Sequence, residues 1–365
     1  MPSLFGQRLH LIALVIASSV VFAVSFAEAV ETVSFRESKS GKPRTVVGEI
    51  LVEAQDGGLL LRGDDGRIWL IQPEEMVDRK SDDSELVPIT ADQMERRMME
   101  EMPKGFAVYR TANYLIVYNA NEEYAKTVGA LFEQLHKTFF AYWKNQRWEL
   151  AKPRFPLVAL VLANKNEFLK HGIAEVGESA RSVIGYYDRA SNRMTTFNIP
   201  NLERNIATII HEGTHQLAFN CGMQTRYADN PQWVSEGLAT FFESPNISSK
   251  RGWTGVGRVN QVNLARWRRY QRSRPADSLA TLLADNSRFQ NPASVESAYG
   301  EAWALTYFLI KTRRKEYTAF MQKLSQGKPL AEKSPRERIE IFESSFGMTL
   351  AKADKAFVTY MRRVR

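Results

Sequence analysis

Three kinds of hydrophobic pattern follow one another along the chain. Residues 30–78 carry short apolar runs broken by tight turn signals. Thr45–Val52 and Leu59–Leu61 flank Asp56-Gly57-Gly58, and Asp64-Asp65-Gly66 leads into Ile68–Ile71. Such spacing predicts three or more short strands in a small barrel or curled sheet. Residues 79–104 are charged and methionine-rich, a linker with one short helix. Thr90 and Gln93 form a capping box at its start, and it ends near Pro103 and Gly105.

From residue 105 the element types alternate. Tyr114–Tyr118 and Leu157–Leu162 are continuous apolar strands. Between them Val128, Leu131, Phe132, Leu135 and Phe139 recur at helical spacing over 122–143. Ile184–Tyr187 and Met194–Phe197 flank a polar turn at Asp188–Asn192 and read as a hairpin. Helices follow over 202–220, capped by Asn201 and ended by Gly222, and over 231–243, capped by Asn230 with Pro231 at its first position. The remainder is mostly helical. The expected organisation is α+β: a β-domain (30–78), a linker (79–104), a mixed core (105–250) and a helical C-terminal region (251–365).

The first 29 residues have a different character. Arg8 and His10 precede the uncharged run Leu11–Ala27, which ends in Ala27-Glu28-Ala29. Basic start, apolar stretch and small-x-small end are those of an export signal, and an uncleaved anchor is the alternative. Composition is that of a globular protein, with 44% hydrophobic and 25% charged residues among 365. A single cysteine, Cys221, excludes an internal disulfide framework and any cysteine-based metal ribbon. The net charge of +8 points to anionic partners. Arg251, Arg258, Arg266, Arg268, Arg269, Arg272 and Arg274 cluster without an acid, interleaved with Trp253, Trp267 and Tyr270. In an exported protein this reads as a face toward cell-wall or membrane anions, or as a solvated helix face, rather than as a nucleic-acid surface.

Five histidines are present, and only two share an element at ligand spacing. His211-Glu212-Gly213-Thr214-His215 sets two imidazoles one turn apart on one helix face, where they can share a tetrahedral ion. Glu212 lies about 100° round the helix, beside such an ion rather than on it. The next helix brings Glu236, 21 residues after His215, as a third ligand that leaves a fourth position open. Gly237 and Ala239 would let the two helices approach closely. Glu243, two turns beyond Glu236, can orient a ligating histidine. His136 and His171 have no partner motif and read as structural, and Cys221 as a small buried residue.

His211-Glu212-x-x-His215 followed by Trp233-x-x-Glu236-Gly237-x-Ala239-x-x-x-Glu243 resembles the gluzincin pattern of the peptidase MA clan, shared by thermolysin-like and aminopeptidase N-like enzymes. The likeness covers about residues 106–310. The whole chain looks most like an exported bacterial family of unknown function built on this core. The resemblance implies Zn2+ held by His211, His215 and Glu236, with Glu212 as general base in peptide hydrolysis. The donor for the tetrahedral oxygen must be tyrosine or arginine, since no histidine follows His215. Tyr299 is the first choice, with Arg226 and Tyr227 after it. The strand Arg193–Ile199 is expected to offer an exposed edge to an extended peptide. Aminopeptidase N-like enzymes carry there a glutamate that holds the substrate amine, whereas this chain has Met194-Thr195-Thr196-Phe197-Asn198. The departure favours an endopeptidase. The alternative is an envelope peptide- or polymer-binding protein that retains the fold without catalysis. In either case the partners are peptide or protein and an anionic envelope surface.

Overall fold

The computed structural model describes residues 29–38, 40–246, 249 and 253–365. The expected export signal, except its last residue, lies outside the described residues, as does Arg251. Among the described residues no helix is long and apolar enough to cross a membrane.

Two five-stranded sheets divide the β structure. The first contains β1 (Val30–Arg36), β2 (Pro43–Glu53), β3 (Leu59–Gly63), β4 (Ile68–Ile71) and β5 (Met76–Asp82), in the order β4-β3-β2-β1-β5 and antiparallel throughout. Its inner face buries Val33, Phe35, Leu59, Leu61 and Ile71. β5 runs four residues past the expected limit at 78. Its polar sequence gives no apolar signal there, and Arg79 instead binds Glu31 and Glu53 on the sheet. Helix α1 (Ala91–Glu101) follows, with the Thr90–Gln93 capping box formed at its start.

The second sheet has the order β6-β7-β8-β10-β9, from β6 (Ala107–Arg110), β7 (Tyr114–Tyr118), β8 (Leu157–Leu162), β9 (Gly185–Asp188) and β10 (Arg193–Phe197). β7, β8 and β10 are parallel, and β6 and β9 are antiparallel edges. Both faces are covered, so β7 and β8 read as unbroken apolar runs. One face packs Ile116, Ala159, Val161 and Met194 on α2 (Glu122–Asn145) and α4 (Leu202–Asn220). The other packs Leu115, Val117, Val158 and Leu160 on Met94 and Met98 of α1, and Leu162 and Phe197 on Phe168 of α3 (Lys165–Val176). The edge expected at Arg193–Ile199 is therefore interior: β10 lies between β8 and β9, and β9 carries the free edge.

Helices α5 (Gln232–Phe242), α6 (Gln261–Gln271), α7 (Ser278–Ala284), α8 (Ser287–Gln290), α9 (Val295–Thr312), α10 (Arg314–Leu324), α11 (Pro335–Phe346) and α12 (Leu350–Met361) complete the molecule. Every residue of α5 is buried. Pro231 rather than Asn230 is its N-cap, and Asn230 turns back to donate to the carbonyls of Thr225 and Ala228. Gly237 does not face α4, as expected, but α9. A Cβ there would collide with Thr306 and would sit 2.8 Å from the Ala302 carbonyl. The glycine that admits a neighbour on the α4 side is Gly213, where a Cβ would fall 2.7 Å from the Phe132 ring of α2.

Candidate metal centre

α4 is held to the sheet by Gln216, whose amide donates to the carbonyls of Val158 and Asn192. Asn201 accepts from the Arg204 N–H at its start, and Gly222 follows its end with a φ of +78°. The helix thus presents His211 and His215 on one face at fixed height, their ring centroids 4.9 Å apart. α5 delivers Glu236 from the facing element. His211 Nε2 lies 3.2 Å and His215 Nε2 3.8 Å from Glu236 Oε2, and the two Nε2 atoms are 3.2 Å apart. Among the described residues this is the one group of three His, Cys, Asp or Glu donors close enough to hold a metal.

The chemistry of these donors fits a cation. His211 Nδ1 contacts Glu243 Oε2 at 2.6 Å, so the proton belongs on Nδ1 and a lone pair is left on Nε2. Glu236 is 2% exposed, and its Oε2 is buried with no hydrogen-bond partner. An unpaired buried carboxylate oxygen facing two imidazole nitrogens would be costly for protein alone. A divalent ion between them satisfies all three, and Zn2+ takes such a His2Glu set with one position open. The acidic surroundings favour positive charge at this point. Burial would raise the Glu236 pKa, but the two imidazoles hold it well below the usual carboxylate range. Burial likewise opposes the charged form of His211, and Glu236 and Glu243 outweigh it, raising its pKa well above the ordinary value.

Glu212 lies beside the trio. Its Oε2 accepts the Tyr187 backbone N–H at 2.9 Å, a donor from the free edge of β9. Burial raises its pKa, while His211 and His215 pull it down and Glu236 pushes it up again. Tyr299 stands in the second turn of α9 rather than at its first residue. It is buried near Glu236, and burial followed by the charge of Glu236 keeps its phenol protonated far above the normal range. The structure therefore gathers His211, Glu212, His215, Glu236, Glu243 and Tyr299 in one place. Arg226 and Tyr227 fall outside the trio, against the turn that follows β9.

The remaining candidates lie apart. His136 packs on Phe140, and His171 pairs with Glu175 at 3.5 Å. Burial pushes the Cys221 thiol up to about 12, so it is no nucleophile at neutral pH. The arginine run is only partly surface. Arg274 is buried between Glu301 and Asp354, and Trp253 and Trp267 are buried in the core, unavailable for stacking on bases. Sequence reasoning missed Asn260 and Asn263. Their side-chain amides donate to Glu243 Oε1 at 2.6 and 3.3 Å, fixing the carboxylate that orients His211.

A family model described as "Protein of unknown function (DUF1570)" matches residues 205–331, a span that includes the trio. No curated protein matches the chain. Among solved structures the chain is similar to a mutant of the M1 zinc metallopeptidase from Deinococcus radiodurans, at 14% identity and a TM-score of 0.35. The likeness covers 70% of this chain and 51% of that one, so the chain spans about half the length of that peptidase.

Proposed function

We propose that the chain is a zinc-dependent endopeptidase in which His211, His215 and Glu236 hold the metal and Glu212 is the general base. The observation that carries this reading is the convergence of three lone-pair donors on one point, with a half-buried carboxylate beside it that belongs to none of them. Zinc bound there would supply Lewis acidity, making a water more acidic and a carbonyl more electrophilic. Glu212, its affinity for protons raised by burial, takes the proton of the attacking water and passes it to the departing amine. The Tyr187 N–H aims Glu212 Oε2 and leaves its other oxygen for that exchange. Tyr299 retains its hydroxyl proton and donates to the oxygen that gains charge. Glu243, braced by Asn260 and Asn263, keeps His211 in one tautomer.

The endo assignment rests on the hairpin before the metal helix. Thr195 and Thr196 of the interior strand are buried, and the one acid of the edge strand β9, Asp188, is tied into its own turn by the Ser191 N–H at 2.7 Å, so neither strand holds out a carboxylate for a substrate amine. With the leader-like first 29 residues we place the work outside the cytoplasm, on peptide or protein substrates. Arg268, Arg269 and Arg272, exposed on and just after α6, would face envelope anions.

Metal analysis of purified protein tests the reading. One zinc per chain is expected, lost in His211→Ala. Glu212→Gln should keep the zinc and lose peptide cleavage by about 10²–10⁴-fold. Protein folded without chelators yet lacking stoichiometric metal would overturn the proposal. Zinc-loaded wild type that cleaves no member of a broad peptide library would turn it toward a binding protein.

A further inference from the structure

Between the first sheet and helices α1 and α3 lies a cavity of about 1040 Å³, to which no residue of the metal centre contributes. α1 and α3 cover the face of the second sheet opposite to α4, so the cavity and the trio lie on different sides of that sheet. Small-molecule pockets span about 300–1,000 Å³, so this one has room for a chain of several units. Met102, Phe106 and Leu162 supply an apolar part of its lining.

The wall from the first sheet is basic, with Lys42, Arg44 and Arg67. The Arg67 guanidinium lies 4.2 Å and that of Arg44 5.9 Å from the Trp69 ring centroid, so one indole holds both. Glu37 takes Arg44 Nε at 2.7 Å, while the side chains of Lys42 and Arg67 form no ion pair among the described residues. Asp64 and Asp65, the acids of this wall, are engaged by Arg97 of α1 at 2.7 and 3.3 Å, which ties the two walls together. The other wall is mainly acidic. Glu167, Lys170, His171, Ala174 and Glu175 fall at i, i+3, i+4, i+7 and i+8, one face of α3. Glu100 and Glu101 join them from the end of α1. Arg193 binds Glu101 at 2.8 Å, and Glu175 meets His171 and the Tyr186 hydroxyl. Glu100 and Glu167 stay without an ion pair among the described residues, as does one cation of this wall, Lys170.

Unanswered charges of opposite sign on two walls call for a ligand that carries both signs. Successive side chains of an extended peptide point to opposite sides. Acids at alternate positions then meet guanidiniums, and bases between them meet carboxylates, through charge-assisted bonds stronger than neutral ones. We propose that this cavity binds an extended peptide segment in which acidic and basic side chains alternate, the acids on Arg44 and Arg67 and the bases on Glu100 and Glu167. The ligand bound does not depend on the peptidase reading; under that reading the cavity holds a protein substrate at a point apart from the bond that is cut.

Binding to the full-length Glu212→Gln protein tests this with the probes left intact. Four fluorescent octapeptides are titrated at about 0.15 M salt, which screens general attraction. One alternates Glu and Lys, one holds the same residues in two blocks, and two carry Gln in place of every Glu or every Lys. The alternating peptide should bind about tenfold or more tightly than each of the others. Arg44→Gln with Arg67→Gln should abolish its advantage over the peptide lacking Glu. Glu100→Gln with Glu167→Gln should abolish its advantage over the peptide lacking Lys. All four positions are exposed or half-buried, and thermal unfolding checks that the variants fold. If the arginine pair melts early, Arg44→Gln alone should act in the same direction and by less. Equal affinity for the alternating and block peptides overturns the proposal, as does a preference that survives both double substitutions. Binding of polygalacturonate but of no peptide overturns it too, and marks a glycan site instead. The expected preference, in a zinc-loaded wild type that cleaves nothing, would leave the cavity's role standing and sink the peptidase. Wild type that cleaves peptides while no probe binds the cavity would do the reverse.

Discussion

Glu243 touches no candidate ligand position of its own, yet it decides which nitrogen of His211 is free. One oxygen meets His211 Nδ1 and the other takes the amides of Asn260 and Asn263. Glu243→Gln should weaken zinc binding by about 10–100-fold, read by competition with a chromogenic chelator, because outer partners of a ligand carry effects of that size. Asn260→Ala should act in the same direction and by less, since Asn263 still donates. At this scale the sequence was partly legible. The His211–His215 pair follows from helix periodicity, a local rule, and Glu236 and Glu243 share the next helix. The Asn260 and Asn263 contacts join elements through tertiary packing, and the N-cap role of Asn260 on α6 gives no hint of them. The Tyr187 donor is a backbone amide and has no side-chain signature at all.

Elements were most legible where burial is complete. The apolar runs of β7 and β8 and the stripe of α2 lie within a residue or two of their expected bounds. β6 is half-exposed and α3 buries little besides Phe168 and Gly172, so neither has a strong periodic signal. The β9–β10 hairpin was visible, but which strand lies outside was not, because both are short and almost wholly buried. Two predictions belong here. Gly237→Ala should destabilise by about 1–3 kcal/mol, since its Cβ has no space against α9; thermal or urea unfolding measures it. Glu133 ties α2 to the turn before β7 by accepting from the Thr111 hydroxyl and from the side chain and backbone of Asn113. Burial would raise its pKa, but these bonds prevail and lower it. A carboxyl lowered on folding contributes stability above its unfolded pKa, about 4.3, and loses it as pH falls through the folded value. Glu133→Gln should cost about 0.5–1 kcal/mol at pH 7, allowing for solvent screening, and the difference from wild type should vanish in urea titrations well below pH 4.

Contacts between distant segments join the two sheets. The Ile68 N–H of β4 donates to the Ala190 carbonyl in the turn after β9, and Arg97 of α1 binds Asp64 of the first sheet. The division into a β-rich start and a helical end followed from pattern, but this contact between distant segments did not. Surface charge gathers on one region as well. Arg268 donates to the Val364 carbonyl, bringing the exposed Arg362, Arg363 and Arg365 beside those of α6. Vesicles rich in anionic lipid should bind the protein at low salt and release it as ionic strength rises, and Arg268→Glu with Arg272→Glu should weaken that binding; equal binding by the variant would count against this surface. Finally, every residue of α5 is buried, so Glu236 reaches its place only when α4 and α9 have closed around it. A chain on which α9 has yet to dock carries the two histidines in one short segment but lacks the third donor. The three donors therefore come together only with the tertiary fold, and any affinity for a metal that needs all three reports complete folding rather than local helix formation.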